Sequence, residues 1–245
     1  MLKAVPLIVI FAMLALAVTG QIQLPQGAKI IERIAVPAHV RKHREIVLWM
    51  IRPKTHERGP LNANKPYSCP DLTLGSYYSG PTRLSLVDAE SGTILNTIRL
   101  SPSSSDTFEI PYRILPHLYA VPGVNEGVEG KPSLLGLRDL NGDGLALEFA
   151  FYQAEACMGL LTTLCGYSPK QDKVVQYPVE LKIEDGKTRI QVLTWVDYLF
   201  SKAPNRVGLW QYEIDYRGRS GQLEHFRVRY DRQNERFVGT LRFER

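Results

Sequence analysis

Histidine is scarce in this chain, and none of the five residues stands beside a nucleophile. Acid–base chemistry by imidazole therefore has no support in the sequence. There is no Gly-x-Ser-x-Gly elbow, no His-Glu-x-x-His pair, no phosphate-cradling Gly-x-x-x-x-Gly-Lys-Ser/Thr loop and no Gly-x-Gly-x-x-Gly opening a helix. Those absences leave the serine-hydrolase, zincin and nucleotide-binding classes without their usual signatures. His39 and His43 have zinc spacing if helical, but no Glu follows the first and no third ligand is evident, so the segment reads as a basic, solvated stretch. Carboxylate pairs for sugar hydrolysis leave no local signature, because they come from distant strands. Asp71, Glu148, Glu155 and Asp197 are the candidates, and nothing selects among them.

Long apolar runs are also missing beyond residue 20. The one run, Leu7 to Val18, follows Lys3 and ends at Val18-Thr19-Gly20. A positive start, a short apolar core and a small-residue exit make residues 1–20 a secretory signal peptide cleaved before Gln21. A bilayer-spanning helix needs about 20 apolar residues; the competing reading is an uncleaved N-terminal anchor. The expected location is secreted or periplasmic, with no transmembrane segment in the mature chain. Residues 21–245 are then one domain, with a Pro- and Gly-dense stretch at 116–132 as the place for any subdivision.

Cysteine is nearly absent: Cys69, Cys157 and Cys165. Export exposes thiols to oxidation, so the arithmetic is one disulfide and one cysteine left over. Cys69–Cys157 would tie a long loop to a strand end. Cys157–Cys165 across a hairpin is the alternative, and Cys165 otherwise fills a core position as a small hydrophobe. Charge excess is small, at +5. That suits a polyanionic glycan or an anionic membrane surface, or no such partner, and is no nucleic-acid signature.

Amphipathic helices of ordinary length are missing too. What is present is strand. Arg44 to Arg52 is a short apolar run with charged ends, the pattern of a buried strand. Lys29 to Val36 precedes it. Thr82 to Val87 and Thr93 to Leu100 form a hairpin around Asp88-Ala89-Glu90-Ser91-Gly92. Phe108 to Leu115, Leu147 to Gln153, Thr162 to Tyr167, Val174 to Ile183 and Thr188 to Val196 continue the series. Leu209 to Tyr216, Leu223 to Tyr230 and Phe237 to Phe243 end it as a meander. In its middle strand Phe226, Val228 and Tyr230 face one way and Arg227 and Arg229 the other. Short helix candidates remain only at Ala35 to His43 and Val196 to Phe200. The class is all-β, built of antiparallel strands and meanders.

One stretch names a specific chemistry. In Asp139-Leu140-Asn141-Gly142-Asp143-Gly144-Leu145, oxygen-bearing side chains alternate and two glycines let the backbone curl. Calcium takes six to eight oxygen ligands on such a backbone. The predicted set is Asp139, Asn141, Asp143, the carbonyl of Leu145 and a closing acid. In an EF-hand that acid is twelfth, which here is Ala150, and the flanks are strand-like, so the loop is no EF-hand.

Asp139 to Gly144 followed by an apolar strand resembles the calcium loops of integrin-type β-propeller repeats, the FG-GAP and VCBS families. The resemblance implies Glu148 as the closing acid, one place later than the family's spacing; the other direction for Glu148 is out into solvent. Leu84 to Leu95 resembles the strand–turn–strand of other propeller blades, such as PQQ-type repeats. A closed propeller would repeat at about 40–50 residues, and the acidic loop has no second copy. A small or degenerate propeller and a β-sandwich are the two architectures expected.

The functional expectation is an exported, calcium-stabilised β protein serving as a binding or structural module. Its partner would be a glycan, a cell-envelope component or a protein. The rival is an exported hydrolase acting on a polysaccharide or similar polymer, with loops at Pro53 to Pro81 and Pro116 to Pro132 building a cleft. A further possibility is that the arginines of the C-terminal meander dock an anionic surface.

Overall fold

The computed structural model describes residues 20–56, 77–100, 112–114, 134–155, 159–184, 189–192, 194–196, 205–215 and 221–244. They hold sixteen strands and no helix. In chain order these are β1 Ala28–Ala35, β2 Arg44–Ile51, β3 Lys54–His56, β4 Tyr77–Gly80, β5 Thr82–Asp88, β6 Ile94–Leu100, β7 Tyr112–Ile114 and β8 Glu148–Glu155. There follow β9 Gly159–Ser168, β10 Lys173–Gln176, β11 Val179–Ile183, β12 Arg189–Val192, β13 Thr194–Val196, β14 Leu209–Asp215, β15 Leu223–Asp231 and β16 Arg236–Glu244.

The strands form three large sheets and a small one. The first sheet has the order β1-β2-β5-β6. In the middle sheet β9 pairs β8, and also β10 and β13. The C-terminal sheet has the order β12-β11-β16-β15-β14, and β3-β4-β7 form the small one. All pairings are antiparallel except β11 with β16. The protein is all-β, and the described residues close neither a barrel nor a propeller.

Packing follows from which strands are apolar on both faces. β2 sends Ile46, Leu48 and Met50 into one core cluster and Val47 and Trp49 into another. Its unbroken apolar run is the consequence: alternate residues meet different layers, and neither side is left to water. Ile22 and Leu24 pack against the second face, beside Val47 and Trp49. The Trp49 indole N–H donates to Ser85 Oγ at 2.9 Å, so its polar atom is satisfied when the ring is buried.

The middle sheet is likewise covered on both sides. Phe149, Cys165, Tyr167 and Val174 pack on the first sheet, whereas Ala150 and Leu164 pack on the C-terminal sheet with Trp210, Phe226, Val228 and Phe237. Polar contacts pin the layers together. Asp172 accepts from Arg44 Nη2 at 2.9 Å and from the Tyr167 hydroxyl at 2.7 Å. Asn96 of β6 bonds both backbone groups of Val174 on β10. Ser168 and Gln171 donate to Glu235 in the turn before β16.

Several expectations need correction. Ala35 to His43 is not a helix: β1 ends at Ala35, and Pro37 accepts from the N–H groups of Val40 and Arg41 in a single turn. Pro37 opens that turn, and the backbone leaves it at His43 with a positive φ of 56°. Val174 to Ile183 is two strands in two sheets, because Pro178 interrupts the ladder. The residues of Thr188 to Val196 likewise divide between β12 and β13. Cys165 is a free, fully buried thiol opposite Phe149, so the Cys157–Cys165 pairing is not formed. Cys69 and Cys157, residues 1–19, 197–200 and 116–132 lie outside the described residues. No helix among the described residues is long and apolar enough to cross a membrane.

Candidate functional site

The acidic loop runs between two backbone hydrogen bonds. The Arg138 N–H donates to the Glu148 carbonyl at 2.7 Å, and the Glu148 N–H donates back at 3.0 Å. Between them the chain curls through Gly142 and Gly144, with φ of 78° and 90°. A residue with a Cβ resists that left-handed backbone, which accounts for glycine at both places.

Short polar side chains hold the curl. Asp139 accepts from the Gly142 N–H at 2.7 Å and the Gly144 N–H at 2.9 Å, one on each carboxylate oxygen. Asn141 Oδ1 accepts from the Asp143 N–H, and Asp143 Oδ1 from the Leu145 N–H, both at 2.8 Å. These are turns in which an Asx side chain bonds its own backbone two or more residues on.

Glu148 is turned inward. It is 1% exposed. Its Oε2 accepts from the N–H groups of Leu140 at 2.9 Å and Asn141 at 3.3 Å. Its Oε1 accepts from Asn141 Nδ2 at 3.0 Å, and the same nitrogen donates to Asp143 Oδ2 at 3.1 Å. The solvent-facing direction is therefore not taken. The reason is the layering: Glu148 stands two residues before Ala150, on the face of β8 that meets the C-terminal sheet. A strand covered on one side only would have let it face water.

The electrostatics follow. Burial pushes the Glu148 carboxyl up to about 8, and the charges of Asp143 and Asp139 act in the same direction. The N–H groups of Leu140 and Asn141 oppose the shift. Among the described residues, the loop's guanidinium contact is on a carbonyl: Arg232 Nη2 donates to Gly142 O at 2.7 Å. No Lys, Arg or His among the described residues forms an ion pair with Asp139, Asp143 or Glu148. The other side of the loop presses on the segment before β14, where a Cβ at Gly142 would come within 2.9 Å of the Val207 carbonyl.

Of the predicted ligands, the structure joins Asp143 and Glu148 through the Asn141 amide, and directs Asp139 onto the loop's own backbone. As they stand, no group of three or more His, Cys, Asp or Glu side chains among the described residues could hold a metal ion. The donor set is nevertheless all oxygen, its carboxylates having no cationic partner among the described residues, and that chemistry fits a hard cation. Of the carboxylates named for hydrolysis, Glu148 belongs to this loop, Glu155 ends β8, and Asp71 and Asp197 lie outside the described residues. Comparison of the chain with protein-family models, with curated proteins and with solved structures gives no match.

Proposed function

We propose that the chain is an exported, calcium-stabilised β module that binds or supports a partner rather than catalysing a reaction. The observation that carries this reading is the inward, buried carboxylate of Glu148 beside Asp143, with the Asn141 amide nitrogen as the only positive pole between them. A divalent cation neutralises such a pair more fully than an amide dipole does. Asp139, Asn141, Asp143, the Leu145 carbonyl and Glu148 would supply the oxygens. The ion would be structural. It would brace a loop that reaches from the middle sheet to the segment before β14, and would stabilise only the folded chain. Engagement of Glu148 by the backbone of Leu140 and Asn141 favours this role over that of a hydrolytic acid.

Thermal melts in millimolar calcium and in chelator test it. Occupancy at 100 times Kd adds about 2.7 kcal/mol, which for a chain of this size raises Tm by roughly 5–10 °C. Identical melting temperatures in the two buffers would remove calcium from the account.

A further inference from the structure

Three cations on the outer face of the C-terminal sheet have no partner among the described residues. Along β15 Phe226 and Val228 enter the core, so Arg227 and Arg229 point out from the other face. Antiparallel register sets these arginines beside Thr240 and Val238 of β16. Parallel pairing then sets Lys182 and Glu180 of β11 beside the same two residues. These six line a groove of about 400 Å³. Arg227 and Arg229 are ~7 Å apart along the strand, and Lys182 lies two strand spacings, ~10 Å, from Arg227.

The other charges described on this face are matched. Glu180 accepts from Arg236 Nη1, Glu184 pairs with Arg242, and Glu213 and Glu244 flank His225. Lys182, Arg227 and Arg229 make no hydrogen bond or ion pair among the described residues. They are exposed, so the groove carries their three charges to whatever enters it.

The shape narrows the ligand. Among the described residues no aromatic side chain lines the groove, which there lacks the stacking platform on which single-stranded nucleic acids rest. The cations line a recess, whereas a bilayer presents a plane. Thr240, with Gln211 at the register position across from Arg227, adds neutral hydrogen-bonding groups suited to sugar hydroxyls. Guanidinium forks match carboxylate and sulfate geometry.

We propose that this groove binds a linear anionic polysaccharide, with Arg227 and Arg229 taking its carboxylate or sulfate groups and Lys182 reaching the next charged unit. The site shares no residue with the acidic loop and needs no ion there.

The test is calorimetric titration of the purified full chain with polygalacturonate and with dextran sulfate, neutral dextran serving as control. Both anionic polymers should bind, more weakly as salt rises, and neutral dextran should not. Arg227→Gln with Arg229→Gln should weaken binding at least about tenfold, the loss of one or two charge-assisted contacts. Lys42→Gln with Lys170→Gln removes the same charge from exposed positions elsewhere and should leave affinity within about twofold. If the arginine pair melts early, Lys182→Gln reads the same site from another strand. Equal losses from the two double variants would overturn the proposal in favour of diffuse charge, as would affinity indifferent to salt. Tighter, groove-dependent binding to phosphatidylglycerol vesicles than to either polymer would overturn it in favour of a membrane.

Discussion

Two turns in this molecule are both built around acids and glycine, to opposite electrostatic effect. In the β5–β6 turn, Asp88 Oδ1 accepts from the backbone N–H and the hydroxyl of Ser91, and Oδ2 meets Arg44 Nη1 at 2.8 Å. Those bonds, Ser91 first, hold its carboxyl below the usual carboxylate range. In the acidic loop Glu148 also accepts backbone N–H groups, but it is buried, faces two other acids and has no guanidinium; its carboxyl is pushed up to about 8. The first turn meets a counter-charge, Arg44 of the neighbouring strand β2. The second collects negative charge and leaves its compensation to an amide or to something outside the chain. A run of Asp, Ser, Asn and Gly is therefore not by itself a cation site; what separates the two cases is burial and the absence of an arginine.

The largest expected effect comes from deleting the inward acid. Glu148→Ala would leave the N–H groups of Leu140 and Asn141 buried without an acceptor, at a cost of about 3 kcal/mol or more. Chemical denaturation measures it. Glu148→Gln keeps an acceptor oxygen and the side-chain volume and removes the charge that burial disfavours, so in chelator at neutral pH it should be at least as stable as wild type. Equal losses from the two variants would mean that the carboxylate's bonds to the loop backbone matter little.

Next in size are the loop glycines. At Gly144 an added Cβ meets nothing within 4 Å, so Gly144→Ala costs only its left-handed φ, about 1 kcal/mol. Gly142→Ala has the same backbone demand and also strikes the Val207 carbonyl, so it should cost measurably more in the same denaturation assay. The order would reverse if the loop stood clear of the segment before β14.

Smaller effects belong to Arg44, which bridges Asp88 and Asp172. Arg44→Ala breaks a part-buried contact with Asp172 worth about 1 kcal/mol and should leave any calcium response intact. Asp172 is held low chiefly by its hydrogen bond from Arg44. A depressed native pKa means the unfolded chain binds more protons in acid. The stability it contributes is present in full above the unfolded value of about 4, and is lost as pH falls through the lowered native value. Melting curves of Arg44→Ala should accordingly be flatter than wild type over that acid window; an unchanged slope would assign the acid limb to other carboxylates.

Much of this was legible in the chain before its structure. The unbroken run at Arg44 to Arg52 marked a strand buried on both faces, and the alternation from Phe226 to Tyr230 fixed which side of β15 meets the core. The curl of the acidic loop followed from Asp139, Asn141, Asp143 and its glycines. The direction of Glu148 did not, because it depends on the C-terminal sheet covering β8, a contact between residues far apart in sequence. The parallel pairing of β11 with β16 was hidden for the same reason: no local pattern states which distant strand is a neighbour. That pairing brings Lys182 to the arginines, so a reading of the meander alone found only part of the basic groove.

The measurement that bears most directly on the contrast between the two turns is a calorimetric calcium titration of wild type, Glu148→Gln and Asp88→Asn. Saturable binding of one ion to wild type and Asp88→Asn, lost or weakened at least about tenfold in Glu148→Gln, is the expected result. Calcium heats absent from wild type, or identical in Glu148→Gln, would contradict it, and the acidic loop would then be a self-bonded turn like its counterpart at Asp88.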